Sequence, residues 1–288
     1  MPPAPATKII ECSRDAMQGL HEFIPTAQKI AYVQQLLAVG FDTLDVGSFV
    51  SPKAIPQMAD TADVLAGLDL GSTSTELLAI VANRRGAAAA AAQPSVDYLG
   101  YPFSVSETFQ IRNTNATIQE SLGRLEEIQQ LAADHGKRLV VYLSMGFGNP
   151  YGDPWSVGVV ARWTEELAER GVRILQLSDT IGVSSPESIA YLFETLIPTY
   201  ADIEFGAHLH TTPTTWREKV DAAYVHGCRR FDGALRGYGG CPMAADALTG
   251  NMPTEHIIDY VGERESTSID AEQLRAATSM LPQVFPQG

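Results

Sequence analysis

Cysteine is scarce in this chain, and no two cysteines lie close together. The 288 residues contain three of them, Cys12, Cys228 and Cys241. An odd number without a Cys-x-x-Cys pair argues against a disulfide framework and leaves no thiolate cluster for a structural zinc. We therefore expect free thiols in a reducing compartment, the cytoplasm.

The chain also lacks long apolar runs and an excess of positive charge. No stretch is long enough to span a bilayer, and the N-terminal MPPAPATK has no signal-peptide pattern. The formal net charge is −14, from 20 Lys and Arg against 34 Asp and Glu. Because no basic run offers phosphates a footprint, we expect neither nucleic acid nor a membrane as partner. An anionic substrate would need Arg, Lys or a metal ion to reverse the field locally.

What the chain does contain is a regular alternation of apolar strands and helical patterns. The predicted strands are 8–13, 41–47, 77–82, 96–99, 138–144, 172–177, 203–210 and 229–234. Helices are predicted at 25–39, 56–67, 86–93, 118–135, 154–170, 186–198, 216–226, 253–260 and 270–281. This alternation predicts an α/β fold, a (β/α)₈ TIM barrel, in one domain over 1–288 with 262–288 as a C-terminal helical extension. A doubly wound open sheet is the alternative, but no Gly-x-Gly-x-x-Gly follows the first strand.

The seventh strand carries the strongest functional signal. In IEFGAHLHTT, residues 203–212, the apolar side chains recur at every second position. His208 and His210 therefore share the other face of the strand. Two imidazoles on one face at a strand end favour a shared metal ion over two unrelated packing residues.

Active sites of such barrels form where the strands end. Four side chains there offer two nitrogens and two oxygens to one divalent cation: Asp15, His208, His210 and Asn251. With water or substrate oxygens completing an octahedron, this set suits Mg²⁺ or Mn²⁺, and imidazoles also accept Zn²⁺.

Three further strand-end residues suit catalysis, each with a plain structural alternative. Arg14 could stabilise a developing enolate or form an ion pair across the barrel mouth. Asp179 could orient a metal ligand or substrate, or cap the turn 180–182. Cys241 lies between Gly-Gly and Pro on a loop free to open and close, which suits acid/base or nucleophilic work. Residues expected around the substrate on placement alone are Gln18, Ser48, Asn83 and Glu107.

Several segments resemble the 3-hydroxy-3-methylglutaryl-CoA lyases, part of the barrel metallolyase group that includes isopropylmalate and homocitrate synthases. The resemblance runs from Ile9 to Glu255. The segments that carry it are SRDAMQ (13–18), SFVSPK with PQM (48–53 and 56–58), SDTIGV (178–183), HLH (208–210) and GGCP (239–242). The SFVSPK…PQM and GGCP segments are more specific to the lyases, whereas the Arg-Asp and His-x-His pairs are shared by the wider group.

The resemblance implies a divalent-metal-dependent retro-Claisen lyase that cleaves 3-hydroxy-3-methylglutaryl-CoA to acetyl-CoA and acetoacetate. It implies that Asp15, His208, His210 and Asn251 bind the metal. It further implies an enolate-stabilising Arg14, a supporting Asp179 and an acid/base Cys241 on its loop. For the base, His208 and a carboxylate beside the metal are the two alternatives. Among the departures from the family pattern, Asp45 stands where glutamate is usual, Ser13 where proline is usual and Thr211 where aspartate is common.

Three alternatives stay open beside this function. The first is the same chemistry on a different 3-hydroxyacyl-CoA, and the second is a Claisen-condensing acyl-CoA synthase. The third is a metal-binding or scaffold protein without catalysis. An acyl-CoA is the expected small-molecule partner, and a homo-oligomer, a dimer, is the expected assembly.

Overall fold

The structure is a computed structural model that describes residues 5–240 and 249–285. Within them, parallel strands close into a barrel in the order β1-β2-β3-β4-β5-β6-β7-β9, while β8 and β10 form a separate antiparallel pair. The bounds are β1 Lys8–Glu11, β2 Thr43–Ser48, β3 Glu76–Ile80, β4 Tyr98–Ser104, β5 Arg138–Ser144, β6 Ile174–Ser178, β7 Glu204–His208, β8 His210–Thr211, β9 Arg230–Gly233 and β10 Gly250–Asn251. The predicted (β/α)₈ barrel is confirmed.

Helices surround this barrel, as the alternating pattern predicts. They are α1 Ser13–Gln18, α2 Thr26–Leu37, α3 Thr61–Ala66, α4 Arg84–Ala91, α5 Glu107–Thr114, α6 Ile118–Asp134, α7 Val157–Glu169, α8 Pro186–Thr199, α9 Trp216–Val225, α10 Thr254–Gly262 and α11 Ala271–Val284. No helix in the described part of the chain is both long and apolar enough to cross a bilayer.

The inside of the barrel is divided between apolar and charged side chains. Strands β3 to β6 supply one apolar cluster, made of Leu78, Ile80, Tyr98, Val140, Tyr142 and Ile174. Strand β9, on the other side, carries Arg230 and Asp232, which are 0% and 2% exposed. Since buried charges are rare unless they are paired or functional, this side of the barrel is the place to look for chemistry.

Two helices of the structure were not predicted, and strand β4 is longer than predicted. The helices α1 and α5 follow β1 and β4 directly and lack a clear apolar period. Five of the six α1 residues are buried, so tertiary packing rather than propensity forms this helix. Strand β4 runs to Ser104, whereas the prediction ends it at residue 99. The prediction stops early because Pro102 interrupts the apparent strand pattern, yet in the structure Pro102 pairs with Tyr142 in register.

The predicted strand 203–210 is divided in the structure. Strand β7 ends at His208, and His210 pairs instead with Asn251 across the β8–β10 sheet. The two histidines remain neighbours because a single residue, Leu209, separates the two strands. Close to this turn, the C-terminal extension supports the loop after β9, where Tyr238 stacks on Phe285 with ring centroids 4.6 Å apart.

Candidate active site

The short helix α1 brings a buried arginine and a carboxylate to the C-terminal end of β1. Arg14 is 7% exposed and Asp15 is 8% exposed. The Arg14 guanidinium donates through Nε to both Asp45 oxygens, at 3.2 and 3.0 Å, and through Nη2 to Oδ2 at 2.5 Å. Its Nη1 donates to Asp15 Oδ1 at 2.8 Å. One guanidinium is thus held rigidly by two carboxylates.

The two histidines reach the same point from the other side of the barrel. Their rings lie 5.4 Å apart between centroids. Asp15, His208 and His210 each place one ligand atom here, and these three atoms lie within 4.8 Å of one another. The predicted convergence of these three side chains is therefore present.

Each imidazole is held through its Nδ1 nitrogen. In His208 this atom lies 3.0 Å from Asp232 Oδ2, and in His210 it lies 3.0 Å from the Thr180 carbonyl. His210 Nε2 is buried and has no hydrogen-bond partner among the described residues. A buried nitrogen of this kind needs a ligand, which supports a cation in the group.

Asn251 joins this group from β10. Its Nδ2 donates to Asp15 Oδ2 at 2.7 Å and to the Tyr238 carbonyl at 2.9 Å. Gly239, with φ +82°, passes so close that a Cβ would lie 2.6 Å from the Asp15 carbonyl oxygen and 3.0 Å from Asn251 Nδ2. The glycine loop therefore lies against the backbone of Asp15 and against the Asn251 amide that binds the Asp15 carboxylate.

Burial and neighbouring charges shift the ionisation of these groups in opposite directions. Burial alone would raise the pKa of Asp15, but Arg14, His208 and the Asn251 hydrogen bond lower it to about 2. Burial raises the pKa of Asp45 to about 6, in spite of Arg14. Asp15 is therefore an anion at neutral pH, as a cation ligand must be.

The histidine pKa values also separate. Burial and the neighbouring His208 lower the pKa of His210 to about 4, so its imidazole is neutral. Burial would lower the pKa of His208 as well, but the hydrogen bond and charge of Asp232 raise it. Two imidazoles and a carboxylate fit a hard or borderline divalent cation.

A half-open cavity of about 380 Å³ lies over this group. Its polar side contains Arg14, Asp15, Gln18, Ser178, Thr180, His208 and His210. Its apolar side comes from strands β3 to β5 and from the segments after β2, β3 and β4, and contains Val50, Ala54, Ile55, Ile80, Ala82, Pro102, Phe109 and Tyr142. The cavity is large enough for an acyl group and has chemically distinct sides.

Of the residues expected around the substrate, Gln18 lines this cavity and donates to Asp15 at 2.7 Å. The other three are outside the lining, which corrects the expectation. Ser48 is buried and accepts from the Val50 amide. Asn83 caps α4 through Gly86 N, and Glu107 accepts from Ile118 N at the start of α6. Helix caps and cavity residues both occur at strand ends, so placement alone does not separate them.

The remaining predicted residues have clear positions, with one exception. Asp179 accepts from the backbone of Val183 and Ser184 and also from Lys219 Nζ, 3.0 Å away. Lys219 in turn donates to the His210 carbonyl at 2.9 Å, so Asp179 both caps the turn after it and supports, through Lys219, the strand that carries His210. Cys241 lies outside the described residues.

Sequence reasoning missed Asp232, Lys219 and Glu11. Asp232 was missed because it is a single acidic residue between Phe231 and Gly233 in a buried strand. Lys219 was missed because a lysine in a helix is usually a surface residue. Glu11 is fully buried and accepts from Leu235 N and Thr254 Oγ. A charged residue within an otherwise apolar strand was the available signal for Glu11 and Asp232. Cys12 and Cys228 are both buried with free thiols, as the spacing of the cysteines predicts.

Comparison with known proteins gives one consistent result. The HMGL-like family model matches residues 7–281. The 3-hydroxy-3-isohexenylglutaryl-CoA/hydroxy-methylglutaryl-CoA lyase of Pseudomonas aeruginosa is 35% identical, over 91% of this chain and 86% of that protein. Hydroxymethylglutaryl-CoA lyase YngG of Bacillus subtilis is 32% identical, over 93% of this chain and 89% of that protein.

Solved structures agree with these sequence matches. The HMG-CoA lyase of Brucella melitensis has a TM-score of 0.91 at 31% identity, covering 99% of this chain and 100% of that one. An HMG-CoA lyase from Acinetobacter baumannii, in complex with coenzyme A and 3-methylmalate, has a TM-score of 0.89 at 29% identity, covering 97% and 91%.

Proposed function

The chain belongs to the HMGL-like family, and from this we propose that it is a carbon–carbon lyase that cleaves 3-hydroxy-3-methylglutaryl-CoA to acetyl-CoA and acetoacetate. The observation that carries the proposal is the convergence of Asp15, His208 and His210 within 4.8 Å, beside Arg14 and under an open cavity. A coenzyme A complex in a relative of the same fold supports an acyl-CoA substrate.

The residues that would hold a divalent cation are Asp15, His208 and His210, with the amide oxygen of Asn251. Their oxygen and nitrogen donors suit Mg²⁺ or Mn²⁺, and Zn²⁺ fits the imidazoles. When bound, such a cation supplies Lewis acidity that lowers the pKa of a hydroxyl coordinated to it. The Nε2 of His210, which has no hydrogen-bond partner within residues 5–240 and 249–285, supports this assignment.

The bond changes of the reaction assign work to the protein's own groups. A base removes the C3 hydroxyl proton, the C2–C3 bond breaks, and its electron pair moves toward the thioester. C3 becomes the ketone of acetoacetate, and a proton added at C2 of the enolate completes acetyl-CoA. The candidate bases are His208 and a carboxylate beside the cation. Because Nδ1 of His208 contacts Asp232, its single free lone pair, on Nε2, would serve either as cation ligand or as base, and the carboxylate is the base where Nε2 binds the cation.

Arg14 is our candidate for stabilising the enolate. Its guanidinium borders the cavity and is immobilised by Asp45 and Asp15, so it needs little reorganisation when charge develops on the thioester oxygen. Cys241 remains our candidate for the proton donor to C2, from its sequence position after Gly239-Gly240. Asp45 and Asp179 are proposed to hold Arg14 and the His210 segment in place.

A second candidate substrate has a longer branch at C3. The apolar side of the cavity, which includes Ile55, Ile80 and Phe109, offers more apolar surface than one methyl group needs. The Pseudomonas aeruginosa relative is named for 3-hydroxy-3-isohexenylglutaryl-CoA as well as the methyl compound. The same cleavage on a longer branched thioester is therefore worth testing beside the first.

The test is a product assay on purified protein with each thioester. We expect acetyl-CoA and acetoacetate in equal amounts from the methyl substrate, in the presence of Mg²⁺ or Mn²⁺, and loss of both products with chelator. The Arg14→Met variant, incubated identically, controls for contaminating lyase. Absence of both products at saturating Mn²⁺ would refute the proposal, and faster cleavage of the isohexenyl thioester would favour the second candidate.

Three expectations from the sequence remain predictions. They are a single domain over 1–288, a homodimer and a cytoplasmic location. Light scattering on a sizing column measures the assembly, limited proteolysis tests the domain count, and fractionation of the source cell tests the location.

A further inference from the structure

Directly beneath His208, the barrel interior contains a group of buried polar side chains, from both its charged and its apolar side, to which the proposed reaction assigns no step. We call the group Tyr142, Gln176, Arg230 and Asp232 the interior chamber. Arg230 and Gln176 are 0% exposed, Asp232 is 2% and Tyr142 is 8%. Strands β5, β6 and β9 supply these residues, with the intervening β7 carrying His208 itself.

Strand register places the chamber against the metal-ligand strand. His208 on β7 is the register partner of Asp232 on β9. The same register brings Gly206, two residues earlier, beside Arg230. Arg230 and Asp232 are two residues apart on one strand, so both side chains point into the barrel, with their Cα atoms roughly 6.6 Å apart.

Gly206 is what gives the chamber its width. A Cβ at this position would lie 1.9 Å from Gln176 Oε1 and 2.6 Å from its Cδ. The Gln176 amide therefore extends across β7, through the space that any other side chain would fill. It approaches the strand that carries Arg230 and Asp232.

Six polar atoms of the chamber are buried without a hydrogen-bond partner among the residues that the structure describes. They are Asp232 Oδ1, Arg230 Nε and Nη2, both amide atoms of Gln176 and the Tyr142 hydroxyl. Buried polar groups in folded proteins are almost always paired with protein or ordered water. Donors and acceptors are both present, which is the composition that holds internal water.

The charges in the chamber are also complementary. Burial alone would lower the pKa of Arg230, but the charges of Asp232 and of Glu204, whose Oε1 lies 3.3 Å from Nη1, raise it. Asp232 uses its other oxygen, Oδ2, on His208 Nδ1 at 3.0 Å. A carboxylate between an imidazole and a guanidinium accepts from both sides, which fixes the imidazole ring and the nitrogen that carries the proton.

From this geometry we infer that the interior chamber binds ordered water that joins Arg230 to Asp232, and that Asp232 and Arg230 together are positioning residues for His208. Asp232 directs the Nε2 lone pair of His208 to the cavity. Arg230 holds the carboxylate in place from below, through water. The inference deepens the proposed function. Only the catalytic role of His208 positioning rests on that function, whereas the water and the effect on cation binding do not.

The water half of the inference is tested on the unaltered protein. A high-resolution crystal structure should show ordered water within hydrogen-bond distance of Asp232 Oδ1 and of Arg230 Nε or Nη2. A dry chamber, or a direct Arg230–Asp232 contact in place of water, would overturn it. This result needs no variant to fold.

The positioning half is tested through Mn²⁺ affinity, measured by titration calorimetry without substrate. Asp232→Asn should weaken Mn²⁺ binding about 10- to 100-fold, the range expected when a ligand loses its outer carboxylate. Arg230→Met should weaken it about three- to tenfold, since it acts one contact further away. Arg230→Lys, which keeps the charge, should recover part of the loss.

Arg138→Met is the matched control. Arg138 lies on β5, pairs with Glu76 and has a 48% exposed side chain, so Mn²⁺ affinity should stay as in the wild type. Unchanged affinity in folded Asp232→Asn and Arg230→Met would refute positioning. If Asp232→Asn does not fold, the Arg230 variants decide the question. Mn²⁺ affinity should then fall in the order wild type, Arg230→Lys, Arg230→Met, and equal affinities in the three proteins would refute positioning. Because this readout is independent of turnover, inactivity toward the thioesters would count against the proposed function alone.

Discussion

The Arg14 guanidinium shares three hydrogen bonds with the Asp45 carboxylate and directs its remaining Nη1 donor to Asp15. The arginine is therefore fixed between a carboxylate that does not border the cavity and one that does. Both of its partners are buried, so the arrangement is little screened by solvent. This rigidity is what an enolate-stabilising group requires.

Arg14→Met should lower kcat/KM for cleavage by roughly 10²- to 10³-fold, the cost of removing one preorganised donor of an oxyanion. Arg14→Lys should recover less than half of this loss in logarithmic units, because an ammonium cannot reproduce the fork that binds Asp45. Steady-state acetyl-CoA release measures both. Activity of Arg14→Met within about twofold of the wild type would contradict the role.

Removal of the metal should lower thermal stability as well as activity. A cation present at 100 times its Kd stabilises the folded state by about 2.7 kcal/mol, which raises Tm by roughly 4–5 °C in a chain of 288 residues. Asp15→Asn should abolish the Mn²⁺-dependent rise in Tm, as should His210→Ala. Differential scanning fluorimetry with Mn²⁺ or chelator measures it.

Asp63→Asn is the control for this experiment, because Asp63 is an exposed carboxylate on α3. It should keep the full Mn²⁺ effect. An equal rise in Tm for Asp15→Asn would show that the cation binds elsewhere.

The barrel was predictable because its strands are buried on both faces and read as apolar runs between helical periods. Strand β5 matches its predicted bounds, 138–144. The histidines and Arg14-Asp15 were predictable because ligand chemistry and strand-end placement agree at those positions. Asn251 was named with them from its place in the segment after the eighth strand, and the family resemblance implies the same role.

The surroundings of the other site residues depend on which strands become neighbours. The local sequence pattern does not encode this pairing. Asp232 meets His208 because β9 pairs with β7 in a specific register. Asn83 and Glu107 were placed in the cavity for lack of that information, whereas their side chains cap α4 and α6. Short polar side chains satisfy helix ends first.

The glycine at 239 should be irreplaceable for a steric reason. In Gly239→Ala the new Cβ would meet Asp15 O and Ala16 Cα at 2.6 and 2.8 Å, at a φ of +82° that alanine rarely adopts. We expect the Asp15–Asn251 bond to be disturbed, with Mn²⁺ affinity reduced by about tenfold or more. Gly19→Ala, where a Cβ would meet nothing within 4 Å, is the control and should bind Mn²⁺ normally.

The carboxyl group of Glu11 should make stability depend on pH. Glu11 accepts from Leu235 N at 3.1 Å and Thr254 Oγ at 2.5 Å, so it joins both ends of the segment that carries Asn251. Burial raises its pKa to about 8, above the ordinary 4.5. The folded protein then keeps a proton that the unfolded chain releases, and stability falls as pH rises from about 4.5 to 8.

Glu11→Gln tests this, because glutamine resembles the protonated acid and cannot titrate. In the wild type, this carboxyl should remove on the order of 4 kcal/mol of unfolding free energy between pH 4.5 and 8, and the variant should lose that dependence and be the more stable protein at pH 8. Urea unfolding in chelator at several pH values measures it, with Glu127→Gln on the exposed face of α6 as control. If the unfolding free energy of Glu11→Gln depended on pH as strongly as that of the wild type, the Glu11 carboxyl would be ionised in the folded wild type. Its two hydrogen-bond donors, Leu235 N and Thr254 Oγ, would then outweigh the effect of burial.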